Sequence, residues 1–191
     1  MKKHIIPALK LTGVLIVFLT VVYPFFVWGI AQLAPNSGKG EIVEYKGAVY
    51  YSNIGQVFTE DHYFWSRPSA VNYDAAGSGA SNKGPYNQFY LEEVQTRINT
   101  FLRLNPGIDK SEIPVDLITA SGSGLDPNIS VQAAKIQVKR IAKSRDINEA
   151  KLYELIDAQR EKPLFGLFGT EKINVLGLNI ALDESTSKSN Q

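Results

Sequence analysis

Hydrophobic and polar positions divide the chain into two unlike parts. From Leu11 to Ala34 no residue is charged. At about 1.5 Å of rise per residue, a helix of that length crosses a hydrocarbon core of roughly 30 Å. The pattern predicts a membrane-spanning anchor over residues 11–34, preceded by a short segment 1–10. Past the anchor, apolar residues return in shorter runs separated by turn formers, as in a folded domain.

Asn36, Ser37, Gly38, Lys39 and Gly40 follow Pro35 and predict a flexible linker over 35–40, with the domain occupying 41–184. A strand-like stretch runs through Val43, Tyr45, Ala48, Val49 and Tyr50. Between His62 and Gln88 the density of Ser, Gly, Asn, Pro and Tyr predicts a long ordered loop. Leu91, Val94, Ile98, Phe101 and Leu102 fall at helical spacing, predicting a helix over Phe89–Leu104 that Asn105-Pro106-Gly107 stops. Val115, Leu117 and Ile118 read as a short buried strand before the turn-rich Ser121–Pro127.

Another helix is predicted from near Ser130, with Val131, Ala134, Val138 and Ile141 on one face and Lys135, Lys139, Arg140 and Lys143 on a solvated one. Asp146 and Glu149 have the spacing of a capping box opening a further helix through Ala150, Leu152, Leu155 and Ile156. After the loop Pro163–Gly169, the run Ile173–Leu182 reads as a final strand, and the polar tail 185–191 as loose. The expected fold class is mixed α/β: a single N-terminal transmembrane helix followed by one extracytoplasmic α/β domain.

Charge sets the direction of the anchor. Lys2, Lys3 and Lys10 precede the apolar run, so the N-terminus is expected in the cytoplasm and the domain outside, in the periplasm of a cell with an inner membrane. A cleaved signal peptide would have a shorter apolar core of about 7–15 residues. Gly29 and Ala31 offer a cleavage-like site, but Tyr23, Pro24, Phe25, Phe26 and Trp28 resemble an interfacial aromatic belt. Thr12, Thr20 and Gln32 are the polar residues of the span and Gly13 and Gly29 its small ones. Without an intramembrane charge, this single helix is not expected to move ions by itself.

Net charge is +1, from 20 basic against 19 acidic residues, too balanced for a nucleic-acid field. No cysteine is present and there are two histidines, His4 and His62, which argues against disulfides, thiol catalysis and histidine-rich metal sites. Gly122-Ser123-Gly124 lacks the glycine that a nucleophile elbow needs where Ser121 stands. Gly77–Gly84 contains Lys83 but has Asn82 and Gly84 where a phosphate loop needs Gly and Ser or Thr. Ser121–Pro127 is either a structural turn or a nest of amides able to bind an anion. Arg67 beside Pro68 could hold a carboxylate of a ligand or of the fold. Asp116 and Asp126 are carboxylates with no sequence evidence of proximity. A membrane-anchored ligand-binding module and an envelope hydrolase therefore stand beside a partner subunit as readings.

Several words of sequence, in order, resemble the C subunits of bacterial Kdp potassium-transporting P-type ATPases. They are Ile54-Gly55-Gln56 with Phe58, Tyr63–Ala70, Ser78–Pro85, Thr119–Pro127 with Ile129-Ser130, Gln137-Val138, Arg140-Ile141-Ala142, Val175-Leu176, Leu178-Asn179 and Leu182-Asp183. Ala80, Lys83 and Asn128 depart from the residues common in that family. The resemblance implies a non-catalytic accessory subunit of a potassium uptake complex, partnered by a channel-like potassium-binding subunit, an ATP-hydrolysing subunit and a small additional membrane subunit.

It also implies a catalytic-chaperone role that raises the ATP affinity of the catalytic subunit. No cofactor would be bound independently; ATP and potassium would be handled by the complex. The nucleotide-linked loop of the family corresponds to Ser121, Gly122, Ser123, Gly124, Leu125, Asp126 and Pro127. The aromatic and glycine-rich loops suggest an interface through Tyr63, Phe64, Trp65, Arg67, Pro68, Ser81, Asn82, Gly84 and Pro85. An external loop and cytoplasmic ATP do not meet directly, so any effect on ATP affinity is expected to travel as a coupling free energy through the assembled subunits.

Overall fold

The computed structural model describes residues 2–189. They form two compact units that divide between Tyr51 and Ser52. In the first, α1 (Lys2–Val17) continues through one π turn, Phe18–Val22, into α2 (Tyr23–Ala31). The run Lys3–Ala31 is a helix of 29 residues, long and apolar enough to cross a membrane. α1 begins at Lys2, ahead of the uncharged stretch, because Lys2, Lys3 and Lys10 are good helix formers that end the apolar run without ending the helix.

Pro24 explains the π turn. Its ring would crowd the carbonyl four residues back, and it has no N–H to donate. The chain widens just before it, so that the Tyr23 N–H donates to the Phe18 carbonyl, five residues back. The Thr20 hydroxyl donates to the Ile16 carbonyl at 2.7 Å.

The expected single strand-like stretch is instead a hairpin of β1 (Ile42–Tyr45) and β2 (Ala48–Tyr51), with Val43 opposite Tyr50 and Glu44 opposite Val49. Lys46 and Gly47 both have positive φ, 49° and 77°, the primed geometry that matches strand twist.

The second unit opens with a long irregular segment: between Tyr51 and Gln88 there is no helix or strand, in line with the loop composition. Then comes α3 (Gln88–Leu104), capped by Asn87, whose side chain accepts from the Tyr90 N–H. The short strand expected at Val115–Ile118 is a single 3-10 turn, Val115–Leu117. Pro114, whose ring fixes its own φ, precedes the turn as its extended cap residue, and the Leu117 N–H donates back to the Pro114 carbonyl. Leu117 is buried and Val115 exposed.

β3 (Asn128–Ile129) leads into α4 (Val131–Lys135), and Ser130 accepts from the Ala133 N–H as its cap. The helix expected to run onward breaks at Ile136 and Gln137 before α5 (Val138–Arg145). Asp146 does not open the next helix as expected. It takes a left-handed conformation that ends α5, and Asn148 caps α6 (Glu149–Ala158).

β4 (Arg160–Glu161) and β5 (Lys172–Asn174) complete a small antiparallel sheet of order β3-β5-β4. The expected final strand stops at Asn174, and α7 (Val175–Ser189) replaces the rest of it and the loose tail as far as Ser189; residues 190–191 lie outside the described residues. Asn174 decides the switch by accepting from the Gly177 N–H at 3.0 Å. Val175, Leu178, Asn179 and Leu182 are then buried together at offsets of three, four and seven, which is helical spacing. The core joins this face to Phe64, Phe101, Ile129, Ile141, Leu152, Ile156 and Ile173.

Candidate functional site

Ser121–Pro127 is the knot of the second unit. The Ser121 N–H donates to the Pro68 carbonyl, the Ser123 carbonyl accepts from the Gly79 N–H at 2.8 Å, and the Leu125 carbonyl accepts from the Gly55 N–H at 2.8 Å. Ser69 Oγ donates to the Gly124 carbonyl at 2.6 Å and Ser78 Oγ to the Ser123 carbonyl at 3.0 Å. At the end of the loop the Pro127 carbonyl accepts from the Val175 N–H. Three otherwise separate stretches, around Gly55, Pro68-Ser69 and Ser78-Gly79, are thus tied to one seven-residue loop.

Within that loop the Leu125 N–H is held by Ser123 Oγ, and the Asn128 N–H just beyond it by Asp126 Oδ1. The Gly124 N–H donates to the Ser121 carbonyl at 3.4 Å. The Ser121, Gly124 and Leu125 N–H groups are thus engaged inside the fold. Gly124 is required here: its φ is +69°, and a Cβ would stand 2.5 Å from Val71 Cγ2 and 2.8 Å from the Gly79 carbonyl. Gly122 is exposed and has open space around its Cβ position.

Arg67 Nη1 bonds Asp126 Oδ2 at 2.9 Å, so the arginine beside Pro68 holds a carboxylate of the fold itself. Both residues line a cleft of about 310 Å³ with Asp116, Asn128 and Ser130. The structure brings the two aspartates into one cleft, yet each is engaged. Asp116 accepts from the Ser130 N–H at 2.6 Å and its Oγ at 3.3 Å.

A second polar cluster holds Glu60–Arg67, a turn over Glu60–Tyr63 followed by irregular chain. Backbone entering the core without a neighbouring strand must find other partners, and helix side chains supply them. Asn179 on α7 accepts from the Phe64 N–H and donates to the Phe64 carbonyl, at 2.9 and 3.0 Å. Gln137 accepts from the Trp65 N–H at 2.9 Å.

Arg140 on α5 donates to the carbonyls of Glu60, Asp61 and Tyr63, and to Asn105 Oδ1 and Gln137 Oε1. Its guanidinium lies 4.6 Å from the Trp65 ring centroid. Burial pulls its pKa down to about 10, with Asp61 opposing the shift, so it stays charged at neutral pH. Arg145 forms a buried pair with Asp183 at 2.7 Å, donates to the His62 carbonyl, and stacks 4.8 Å from the Tyr63 ring centroid.

A family model described as "K+-transporting ATPase, c chain" matches residues 5–184. The chain belongs to that family. It is 53% identical over 183 residues to the "Potassium-transporting ATPase KdpC subunit" of Flavobacterium johnsoniae, covering 95% of this chain and 98% of the relative. It is similar to the protein of that name from Bacteroides thetaiotaomicron, 50% identical over 187 residues, 96% and 99% covered. The protein of that name from Caldanaerobacter subterraneus subsp. tengcongensis is 45% identical over 190 residues, 98% of each chain.

Within this member of the c-chain family, the expected interface residues separate into two groups. Phe64 is wholly buried, so it is a core residue and not part of a docking surface, correcting the expectation. Tyr63 donates to Asp183 Oδ2, Trp65 Nε1 to the Glu60 carbonyl, and Arg67 is tied to Asp126. Pro68 is half-buried and its carbonyl accepts from Ser121. Asn82, Gly84 and Pro85 are exposed and Ser81 half-buried. They lead to Tyr86 and Phe89, both largely exposed, and Lys83 Nζ pairs with Glu93 at 2.5 Å. That hydrogen bond to Lys83 lowers the pKa of Glu93.

Arg140, Arg145, Gln137, Asn179 and Asp183 were not recognised as a buried polar set. Arg140 in particular was expected on a solvated face and is buried. The available signal was spacing: Gln137 shares the apolar stripe of Ala134, Val138 and Ile141, and Asn179 and Asp183 share that of Val175 and Leu182, whereas Arg140 falls on the side of the lysines. A polar residue on an apolar stripe marks a buried polar contact.

Proposed function

We propose that this protein is the accessory, non-catalytic C subunit of an ATP-driven potassium uptake complex. Its helix packs in the inner membrane with the N-terminus in the cytoplasm, and its folded unit lies outside. Its partners are the channel-like potassium-binding subunit, the ATP-hydrolysing subunit and a small additional membrane subunit. The observation that carries this reading is the family match over residues 5–184, which takes in the apolar helix and the folded unit together. The basic N-terminal flank supports the orientation, and a single span without charge suits a subunit that supports transport and does not conduct it.

The partner contact lies at Ser81–Phe89, where exposed Asn82, Gly84 and Pro85 adjoin the exposed rings of Tyr86 and Phe89; aromatic anchors of this kind dominate many interfaces. Ser121–Pro127 raises ATP affinity in the catalytic subunit indirectly. Its carbonyls and the Ser121 N–H cross-link the folded unit, so it keeps the shape of the contact surface, and assembly transmits the effect as coupling between subunits.

The test is detergent isolation from the native membrane, mass spectrometry of what comes with the chain, and potassium-stimulated ATPase activity with and without it. Recovery of a P-type ATPase and a multi-span potassium subunit, with the KM for ATP rising on depletion, is expected. A lone monomer whose removal leaves the activity unchanged would overturn the reading. Protease access in inside-out vesicles checks orientation: Ser121–Pro127 should be protected and the Lys2–Lys3 segment exposed.

A further inference from the structure

The arm between β4 and β5 ends in an unusual tip. Pro163-Leu164-Phe165-Gly166-Leu167-Phe168-Gly169-Thr170 contains no charged residue, and its four large side chains are exposed: Leu164 63%, Phe165 84%, Leu167 80% and Phe168 67%. Together they present on the order of 500 Å² of apolar surface, the size at which an exposed patch marks an interaction site.

Two features suit the tip to an apolar medium. Four internal hydrogen bonds tie its turn: the Leu164 and Phe168 N–H groups donate to each other's carbonyls at 3.0 Å, the Leu167 N–H to the Leu164 carbonyl, and the Gly166 N–H to the Pro163 carbonyl; an apex so tied would meet a hydrated headgroup region with few unpaired groups. A segment entering lipid must satisfy its own backbone in this way. Phe165 and Gly166 have φ of 54° and 74°, a primed turn in which a bulky aromatic residue occupies a position that favours glycine or asparagine. Phe165 gains no burial within the folded unit in return.

We propose that this tip inserts into the headgroup region of the bilayer that the N-terminal helix crosses. At 3.3–3.6 Å per extended residue, the chain between Ala31 and Ser52 cannot carry the folded unit more than roughly 75 Å from the span, so the bilayer is permanently available at high effective concentration. The tip is convex, and from Pro163 to Gly169 it offers no hydrogen-bonding side chain, which matches a fluid apolar surface that needs only area. At its base Arg160 pairs with Glu171 and Lys172 with Glu161, at 3.4 and 3.2 Å, so charge next to the tip is balanced.

The chain has no cysteine, so Phe165→Cys gives a unique site for a polarity-sensitive fluorophore, with exposed Lys151→Cys on α6 as control. The full-length protein is placed in vesicles of phosphatidylethanolamine and phosphatidylglycerol, and its melting is compared with the unlabelled chain. The Phe165 label should be blue-shifted, quenched several-fold more by nitroxide lipids than the Lys151 label, and protected from aqueous iodide. Equal iodide quenching of both labels would overturn the proposal. So would a photoreactive phenylalanine analogue at position 165 that cross-links to protein and not to lipid in native membranes. Neither result bears on the ATPase assay, which tests the subunit reading separately.

Discussion

Gly122 and Gly124 stand two residues apart in one serine- and glycine-rich loop, and substituting each by alanine separates a structural loop from a ligand-binding one. At Gly124 the backbone φ is +69° and the new Cβ would lie 2.5 Å from Val71 Cγ2, 2.8 Å from the Gly79 carbonyl and 3.3 Å from Ser69 Oγ. The left-handed conformation costs alanine about 1–2 kcal/mol, and overpacking adds about 1–3 kcal/mol. Val71 can rotate, but the Gly79 carbonyl is held by the chain around it, so the sum is about 2–5 kcal/mol. At Gly122 nothing lies within 4 Å, and the expected change is within about 0.5 kcal/mol.

For a unit of this size 1 kcal/mol moves the melting temperature by about 3 °C. Gly124→Ala should therefore melt about 6–15 °C below the parent, followed by tryptophan fluorescence of the full-length protein in detergent, and Gly122→Ala within about 2 °C of it. A Gly124→Ala protein that melts with the parent would refute the packing argument. A Gly122→Ala complex that melts normally but loses ATP affinity would show that the loop touches a partner or ligand directly, and would end the indirect account.

Two further expectations rest on the second polar cluster and its neighbourhood. Arg145→Met should destabilise the folded unit by about 3–5 kcal/mol, because it leaves the Asp183 carboxylate buried without its guanidinium, while adding Asp183→Leu should restore much of the loss; chemical denaturation of both variants checks this. Burial pushes the Tyr73 hydroxyl up to about 12, with Arg97 opposing the shift, so its contribution to stability is full below about pH 10, the unfolded value, and is lost as pH rises toward 12. In an ultraviolet titration of tyrosinate, Tyr73→Phe should remove a late-ionising phase; a variant whose titration overlays that of the parent would refute the assignment.

Local pattern settled the features that one short stretch can specify. Leu11–Ala34 is uncharged over the length of a bilayer, and that alone implies a spanning helix, although the helix starts at Lys2 because helix formation tolerates lysine where lipid does not. The α3 helix was legible from its periodicity and from the Asn-Pro-Gly that follows, and the structure adds Asn87 as its cap. Short buried elements were not. Ile173–Leu182 satisfies both a strand and a helix pattern, and what decided between them was the Asn174 cap and the pairing of Ile173 with both Ile129 and Arg160.

The words of the family resemblance were visible one by one, but their convergence on Ser121–Pro127 was not. Hydrogen bonds between Gly55 and Leu125, Gly79 and Ser123, or Ser69 and Gly124 join residues far apart in the chain and leave no periodic trace. The same holds for Arg140, which on a helical wheel belongs with the lysines beside it. Only the packing of α5 against Glu60–Trp65 turned its charge inward, because the carbonyls of the turn Glu60–Tyr63 needed donors and the guanidinium carries five.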